Sequence, residues 1–222
     1  MTKTSWILRG SSLLLLGASL VSAQTAFDVN LGFGSYNDSA NGGGIDNANS
    51  INAYGACTPN SGDPNCQSLP GLSGFFLGFG ADLMFYKHLG AGFSASLQPT
   101  RQNYGPLQDR QAFYDFDAIY APITAKRYEL RLIGGVGAAH TGFSISENGC
   151  IGTAVCSYQT EPVGTSNHFD VHVGVGVQVY LTDHVFIRPE FDFHYAPGLT
   201  DQFGRDSVPG GMIWVGYNFG ER

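Results

Sequence analysis

The chain has 222 residues, a formal net charge of −7 and 13% charged residues, about half the share that is usual in globular proteins. The acidic balance argues against a nucleic-acid partner and against a polybasic membrane-surface protein. After residue 23, no apolar run approaches the length of a transmembrane helix.

Residues 1–23 have the pattern of a cleaved signal peptide. Lys3 and Arg9 give a positively charged start, and Leu13 to Leu20 is a short apolar run. Val21-Ser22-Ala23 then supplies the small residues that signal peptidase recognises. We therefore expect export through the periplasm and a mature chain that forms a single domain over residues 24–222.

The mature chain alternates apolar and other residues over eight stretches, which predicts eight β-strands, because successive side chains of a strand point to opposite faces. In the clearest stretch, from Phe169 to Leu181, every odd position is Phe, Val or Leu and the even positions are polar or glycine. In chain order the predicted strands cover about 26–36, 74–86, 89–99, 111–121, 127–140, 169–181, 185–195 and 210–219. A sheet with one apolar face, an even number of strands and no helix to cover it has to close on itself.

The connections between the predicted strands alternate in length. Those after the second, fourth and sixth strands are short, and two of the long ones, about 37–73 and 141–167, carry the four cysteines. An exported chain meets an oxidising compartment, so we expect disulfides. Three pairings are possible, and we favour the local ones, Cys57–Cys66 and Cys150–Cys156. The Asn-, Gly- and Ser-rich residues 37–68 are expected to be a mobile loop rather than a second domain.

Glycine decides which face of the closed sheet points outward. Eleven glycines fall on the non-apolar face of the predicted strands. On the outside of a soluble barrel they would cost backbone entropy without a gain, whereas the lumen of an eight-stranded barrel only just holds its own side chains. The apolar face therefore points to lipid. This indicates an all-β fold, an eight-stranded antiparallel up-and-down transmembrane β-barrel with short periplasmic turns and long extracellular loops.

The inward face also carries the charged residues, and we predict that they form a lumen charge network. Buried charges have to be paired whatever their role, so a structural network is favoured over a switchable gate or an ion path. Since eight carboxylates face two arginines, some carboxylates should be protonated, hydrated or balanced by an ion. The predicted members are Asp28, Asp82, Asp115, Asp117, Glu129, Arg131, Asp170, His172, Arg188, Glu190, Asp192 and His194.

The short turn between the sixth and seventh strands would place residues whose numbers sum to 366 opposite each other, so that His172 faces His194. With Asp170 and Asp192 nearby, this set could hold a metal or act as an acid–base pair. The lumen is too narrow for easy access of a substrate, so we predict no metal site, no cofactor and no catalytic residue.

Three further local features can be predicted. Arg131 should lie opposite Asp115 or Asp117, depending on the turn between the fourth and fifth strands. Pro189, well inside the seventh strand, predicts a bulge or a local break because it removes a ladder donor. An interfacial aromatic girdle is expected near the strand ends. Its predicted members are Tyr36, Tyr114, Tyr120, Tyr128, Tyr195, Tyr217 and Phe219.

The leader, the eight strands and the ending Trp214–Phe219 resemble the small bacterial outer-membrane barrels related to the transmembrane domain of outer membrane protein A. The resemblance covers essentially the whole mature chain. It implies that Val215, Tyr217 and Phe219 form the signal that the barrel-assembly machinery recognises, although Gly220-Glu221-Arg222 departs from the usual terminal Phe. It also implies a monomer in the outer membrane of a Gram-negative-type bacterium, surrounded by lipid and lipopolysaccharide.

We expect a structural or surface-interaction role without enzymatic activity, in which the barrel presents disulfide-tied loops outside the cell. Three alternatives remain. The glycine-rich lumen could hold water and act as a narrow porin-like channel for ions or small solutes. A lipopolysaccharide-modifying enzyme would need Ser, His and a carboxylate held together on the strands, and no such set stands out. For a soluble lipocalin-like carrier the apolar pattern is inverted.

Overall fold

The computed structural model describes residues 26–38, 43–46, 55–60, 62, 64, 66–104, 107–151 and 155–220. Within these residues the chain forms twelve strands and one short 3-10 helix, Leu199–Asp201. The strands are β1 (Ala26–Asn37), β2 (Gly44–Asp46), β3 (Gly55–Cys57), β4 (Cys66–Ser68), β5 (Ser73–Tyr86), β6 (Leu89–Leu97), β7 (Gln102–Tyr104), β8 (Leu107–Thr124), β9 (Tyr128–Ile151), β10 (Val155–Tyr180), β11 (Val185–Tyr195) and β12 (Ser207–Asn218). The predicted signal peptide lies outside the described residues.

Eight of the strands form a closed antiparallel ring. Its order is β1, β5, β6, β8, β9, β10, β11 and β12, and the pairing of β12 with β1 completes it. Each strand pairs with its neighbour along the chain, apart from the short strands in the connections. This is the predicted up-and-down barrel, and all eight predicted strands are present.

The two faces of the ring separate as the alternation predicts. Along β10, the odd-numbered valines from Val171 to Val179 are exposed on the outside, while Asp170, His172 and Gln178 are buried in the lumen. The same holds on β1, where Leu31 and Phe33 face outward and Asp28 is buried. The outer surface is therefore a continuous apolar belt, and the lumen is polar, as in membrane barrels.

The connections differ between the two ends of the barrel, which we name the turn end and the loop end. At the turn end, β5–β6, β8–β9 and β10–β11 are joined by connections of two to four residues (87–88, 125–127 and 181–184). At the loop end, the β1–β5, β6–β8 and β11–β12 connections are longer, while β9 and β10 themselves extend until only residues 152–154 separate them. Among the described residues, no helix is long and apolar enough to cross a membrane.

The prediction of a loop over residues 141–167 is wrong. β9 continues to Ile151, β10 begins at Val155, and the two strands pair throughout, with one irregularity between Pro162 and Gly164. Beyond the ends of β8 and β11, this hairpin continues as a two-stranded ribbon. The physical reason is that Thr, Phe, Ile, Val and Tyr recur through the segment, and their β-propensity prevails over the glycines and serines between them.

The connection between β1 and β5 contains a small sheet of its own in the order β3, β2, β4. A disulfide joins Cys57 at the end of β3 to Cys66 at the start of β4. This is one of the two favoured pairings. Cys150 and Cys156 lie opposite each other in the β9–β10 register, but their side chains lie outside the described part of the structure. Their disulfide therefore stays a prediction, which peptide mapping under non-reducing conditions would check.

Pro189 produces a local break rather than a bulge. It pairs in unbroken register with Ile213 of β12. Towards β10, the ladder is interrupted between the pairs Gly176–Glu190 and Val179–Ile187, and the register is the same on both sides. Proline has no backbone N–H to donate, so the hydrogen bonding to β10 is lost locally at Pro189. The register of β11 with β10 is kept on both sides of the break.

Candidate functional site

The candidate site is the lumen, where inward-facing side chains of all eight barrel strands meet. Each of the twelve residues predicted for the charge network is 9% exposed or less. The structure divides them into two groups along the barrel axis. The turn-side cluster consists of Asp28, Asp82, Glu129, Arg131, Arg188 and Glu190. The loop-side cluster consists of Asp115, Asp117, Asp170, His172, Asp192 and His194.

Arg131 is the centre of the turn-side cluster. Its Nη2 donates to Asp28 Oδ2 at 2.7 Å, its Nη1 to Asp82 Oδ2 at 2.8 Å, and its Nε to Glu129 Oε1 at 2.6 Å. In the ring, β9 and β1 are separated by three strands on either side, so the ion pair between Arg131 and Asp28 spans the full width of the lumen. The guanidinium thus ties opposite walls of the barrel together.

Arg188 is the second cation of the turn-side cluster. Its Nη1 lies 2.7 Å from Asp82 Oδ2, and its Nε lies 2.9 Å from Glu190 Oε2. The indole Nε1 of Trp214 donates to the other oxygen of Glu190 at 2.8 Å. The guanidinium lies 5.8 Å from the ring centroid of Trp214, within cation–π range. The two arginines therefore share Asp82.

The loop-side cluster is built around two stacked imidazoles. The rings of His172 and His194 lie parallel, with centroids 4.5 Å apart. His172 Nδ1 lies 3.0 Å from Asp117 Oδ1, and its Nε2 lies 3.2 Å from Asp192 Oδ1. His194 Nδ1 lies 2.6 Å from Asp170 Oδ2. Because both nitrogens of His172 face carboxylate oxygens, this geometry is that of an imidazolium donating twice.

Glycines on β9 create the space for the loop-side cluster. Gly137 lies opposite both Asp115 and Asp170 in the strand register, so these two carboxyl groups approach each other across it. Gly135 lies between Asp117 and His172 in the same way. An ideal β carbon on Gly137 would lie only 2.4 Å from Asp115 Oδ1. A larger residue at Gly135 or Gly137 would thus occupy the volume in which these side chains meet.

An aromatic plug fills the lumen at the loop end. Phe113 stacks on His194 with ring centroids 4.3 Å apart. Tyr104 donates a hydrogen bond to the carbonyl of Gln202, and burial raises the pKa of its phenol, so it stays protonated. The plug combines strand and loop side chains: Tyr36, Leu72, Phe76, Tyr104, Leu107, Phe113, Ala139, Ala196, Leu199, Phe203, Val208 and Met212. The same apolar cluster continues from the plug to Trp214, which also contacts the turn-side cluster.

The turn end of the lumen is open. A vestibule of about 1090 Å³ enters the barrel there and extends inward to Glu129, Arg131 and Tyr180. Lys87 and Arg127 line its mouth. Solvent can thus reach the turn-side cluster from this end, while the plug covers the loop-side cluster from the other.

Two predicted placements are wrong. Arg131 lies opposite neither Asp115 nor Asp117, because β8 runs through Pro122 to Thr124 and a register shift follows Tyr120. These extra residues move the turn, and Arg131 reaches across the lumen instead.

Tyr36 is not a girdle residue. It is 2% exposed, and its hydroxyl donates to Asp192 Oδ2 at 3.4 Å. Its even number puts it on the same face of β1 as Asp28, a signal that could have placed it in the lumen. The other predicted girdle residues, from Tyr114 to Phe219, are exposed.

Sequence reasoning also missed the residues that complete the two clusters. Asn218 Nδ2 donates to Asp28 Oδ1 at 2.5 Å, and Asn30 Nδ2 donates to Asp82 Oδ2 at 3.3 Å. Phe113 and Trp214 could have been found by parity, since they share the inward face of β8 and β12 with charged or polar neighbours. The contacts that Phe113 and Trp214 make could not be predicted, because these contacts depend on how the strands close into a ring.

A family model described as the outer membrane protein beta-barrel domain matches residues 11–219. The chain belongs to this family. Its members are barrels of the Gram-negative outer membrane. In such barrels the short turns face the periplasm and the long loops face outside, so we expect the turn end in the periplasm and the loop end outside the cell. The predicted assembly residues Val215, Tyr217 and Phe219 lie on the lipid-facing side, and recognition by the assembly machinery stays a prediction.

Three solved outer-membrane proteins are similar to this chain at low identity. Neisserial surface protein A is 11% identical, with a TM-score of 0.50 over 88% of this chain and 98% of that chain. Ail, the attachment invasion locus protein of Yersinia pestis, in complex with the heparin analogue sucrose octasulfate, is 12% identical, with a TM-score of 0.49 over 89% of this chain and 100% of that chain. The N-terminal barrel domain of Pseudomonas aeruginosa OprF is 14% identical, with a TM-score of 0.46 over 89% and 100% of the two chains. No curated protein matches the chain.

Proposed function

We propose that this outer-membrane barrel is closed to solutes and has a structural, surface-directed role, in which it holds the loop-end ribbon and the disulfide-tied sheet outside the cell. The observation that carries the proposal is the ion pair of Arg131 with Asp28, which crosses the lumen from β9 to the opposite strand β1. Together with Asp82 and Glu129, it fills the lumen at that level.

Two further levels support a closed barrel. Above the turn-side cluster, the stacked imidazoles and their four carboxylates occupy the lumen, and above them lies the aromatic plug. Eight-stranded barrels in general have interiors just wide enough for their own side chains. The vestibule at the turn end therefore ends blindly at Arg131.

The surface role rests on what lies at the loop end. The β9–β10 ribbon extends beyond the ends of β8 and β11, and β2–β4 form a second sheet fixed by the Cys57–Cys66 disulfide. Ordered structure outside the barrel costs conformational entropy that a purely membrane-anchoring role would not require. Such elements are suited to contact other molecules at the cell surface.

Planar-bilayer recordings on the purified mature protein test whether the barrel is closed. We expect no unitary conductance steps, while a general porin in the same bilayer provides the positive control. Reproducible steps from the wild-type protein, abolished by heat unfolding, would favour the narrow-channel alternative and contradict the proposal.

Surface display is tested separately on intact cells. An epitope inserted in the connection between β9 and β10 should bind antibody without permeabilisation. The same epitope inserted in the turn between Leu181 and His184 should bind only after permeabilisation. Reversed labelling would contradict the orientation.

Lipid A mass spectra test the enzymatic alternative. They should be unchanged by deletion or overexpression of the protein, and a changed spectrum would favour a lipopolysaccharide-modifying enzyme.

A further inference from the structure

The loop-side cluster contains more negative charge than its own cations balance. Its four carboxylates face two imidazoles, and His172 is already held between Asp117 and Asp192. Asp115 and Asp170 then remain with His194, and both carboxyl groups are 1% exposed or less. Two uncompensated carboxylates in such a site are costly unless a cation or protons accompany them.

Unpartnered atoms mark where the compensating charge belongs. In the part of the lumen that the structure describes, Asp115 Oδ1, Asp170 Oδ1 and His194 Nε2 are buried without a hydrogen-bond partner. One ligand atom from each of these three residues lies within 4.8 Å of the other two. Orphaned buried polar atoms are rare in folded proteins, and here they belong to three residues whose ligand atoms lie within reach of a single ion.

We propose that Asp115, Asp170 and His194 bind a divalent transition-metal ion of the Zn²⁺ class inside the lumen. Zn²⁺ is held at about 2.0–2.2 Å by carboxylate oxygen and imidazole nitrogen, commonly in a tetrahedron. Donors within 4.8 Å reach that arrangement through small side-chain rotations. Imidazole together with only two carboxylates favours this class over Ca²⁺ or Mg²⁺, which prefer six or more oxygen ligands.

The surrounding residues supply the orientation that a metal site needs. Phe113 and His172 stack on the two faces of the His194 ring and fix its plane. His194 Nδ1 lies 2.6 Å from Asp170 Oδ2, so this nitrogen already points at the carboxylate beside which the ion is proposed to bind. Gly137 carries no side chain, and this allows the carboxyl groups of Asp115 and Asp170 to approach each other across β9. The plug shields the site from the loop end.

Metal content of the folded barrel tests the proposal. Untagged mature protein is refolded in detergent with Zn²⁺, passed into chelator-treated buffer and analysed by inductively coupled plasma mass spectrometry. We expect about one ion per chain, a raised thermal midpoint relative to protein refolded with chelator, and visible d–d bands when Co²⁺ replaces Zn²⁺. Adding the metal before and after folding shows whether the closed barrel admits it.

Matched variants assign the site. Asp115→Asn and His194→Gln should each lower the affinity for Zn²⁺ by at least about 100-fold, more than loss of an outer-shell partner does. His184→Gln, in the turn outside the lumen, should leave it unchanged. Asp115→Asn removes one unbalanced charge, so its metal-free barrel should fold. Folding is checked by a detergent gel, because a closed barrel resists unfolding and unboiled protein then migrates differently from boiled protein. Wild-type protein without bound metal would overturn the proposal, as would equal binding by the wild type and the folded variants.

Discussion

Replacing Arg131 with Met should destabilise the barrel more than any other single change in the lumen. The substitution keeps most of the side-chain volume but removes three charge-assisted hydrogen bonds, to Asp28, Asp82 and Glu129. Asp82 retains Arg188, whereas Asp28 keeps only amide partners such as Asn218. Removing one partner of a buried ion pair costs about 3–5 kcal/mol, and we expect a loss in that range.

The fluorescence of Trp214 provides the assay. The chain has two tryptophans, and the other, Trp6, lies in the predicted signal peptide, so mature protein reports from the lumen alone. Trp214 contacts Glu190 and Arg188 directly beside the perturbed cluster. Urea unfolding and refolding in lipid vesicles would give the free energy of unfolding of the wild type and of Arg131→Met.

Two further variants make the result interpretable. Arg127→Met removes an exposed arginine at the turn end and should change the free energy of unfolding by no more than about 0.5 kcal/mol. Adding Asp28→Asn to Arg131→Met should recover part of the loss, because the carboxylate left uncompensated is then neutral. A loss below about 1 kcal/mol for Arg131→Met would refute the reasoning that this ion pair spans and stabilises the lumen.

Other predictions follow from the outer wall, the lumen glycines and the loop end. The lipid-facing substitution Val175→Arg should make the free energy of membrane insertion less favourable by about 2–4 kcal/mol if the residue lies near the bilayer midplane. The folding yield into lipid vesicles measures this effect. Gly137→Ala should destabilise the barrel, since its β carbon would lie 2.0 Å from a backbone carbonyl oxygen, whereas Gly134→Ala, with no neighbour closer than 4.0 Å, should unfold like the wild type. Hydrogen bonds from Thr200 hold the pKa of Asp206 below its usual value of about 3.9. The protection factor of the Thr200 amide, which is the exchange rate of an unstructured chain divided by the measured rate at the same pH, should therefore stay high above that pH and fall as the pH drops through the lowered pKa. Asp206→Asn should lack this protection at neutral pH as well, and a pH-independent protection factor in the wild type would contradict the prediction.

Period-two alternation made the fold and the direction of most side chains predictable. A one-residue slip would move a whole strand's apolar set into the lumen, so the outward position of Val175 and the inward position of Asp170 follow from the pattern itself. Tyr36 shows the opposite error, because its place near a strand end was given more weight than its parity.

What alternation cannot predict is how distant strands meet. The position of Arg131 depends on a register shift in β8 beyond Tyr120 and on its reach to Asp28 across the ring. Neither is encoded in any single strand. The β9–β10 ribbon was missed for a different reason, since its glycines and serines resemble a loop until the pairing of the two strands is known.

The lumen glycines and the lumen charges have one physical explanation. Where β9 carries Gly135 and Gly137, it contributes no side chain, so groups on β8 and β10 meet across it. Two residues earlier in the alternation, β9 carries Ile133, which is buried and lies opposite Ile119 on β8 and Gly174 on β10, so no charged groups meet at that level. In a barrel this narrow, the position of each glycine therefore determines which charges pair. It follows that Asp115 and Asp170 are brought together by the absence of a β carbon on the strand between them, and that restoring one with Gly137→Ala should push their carboxyl groups apart.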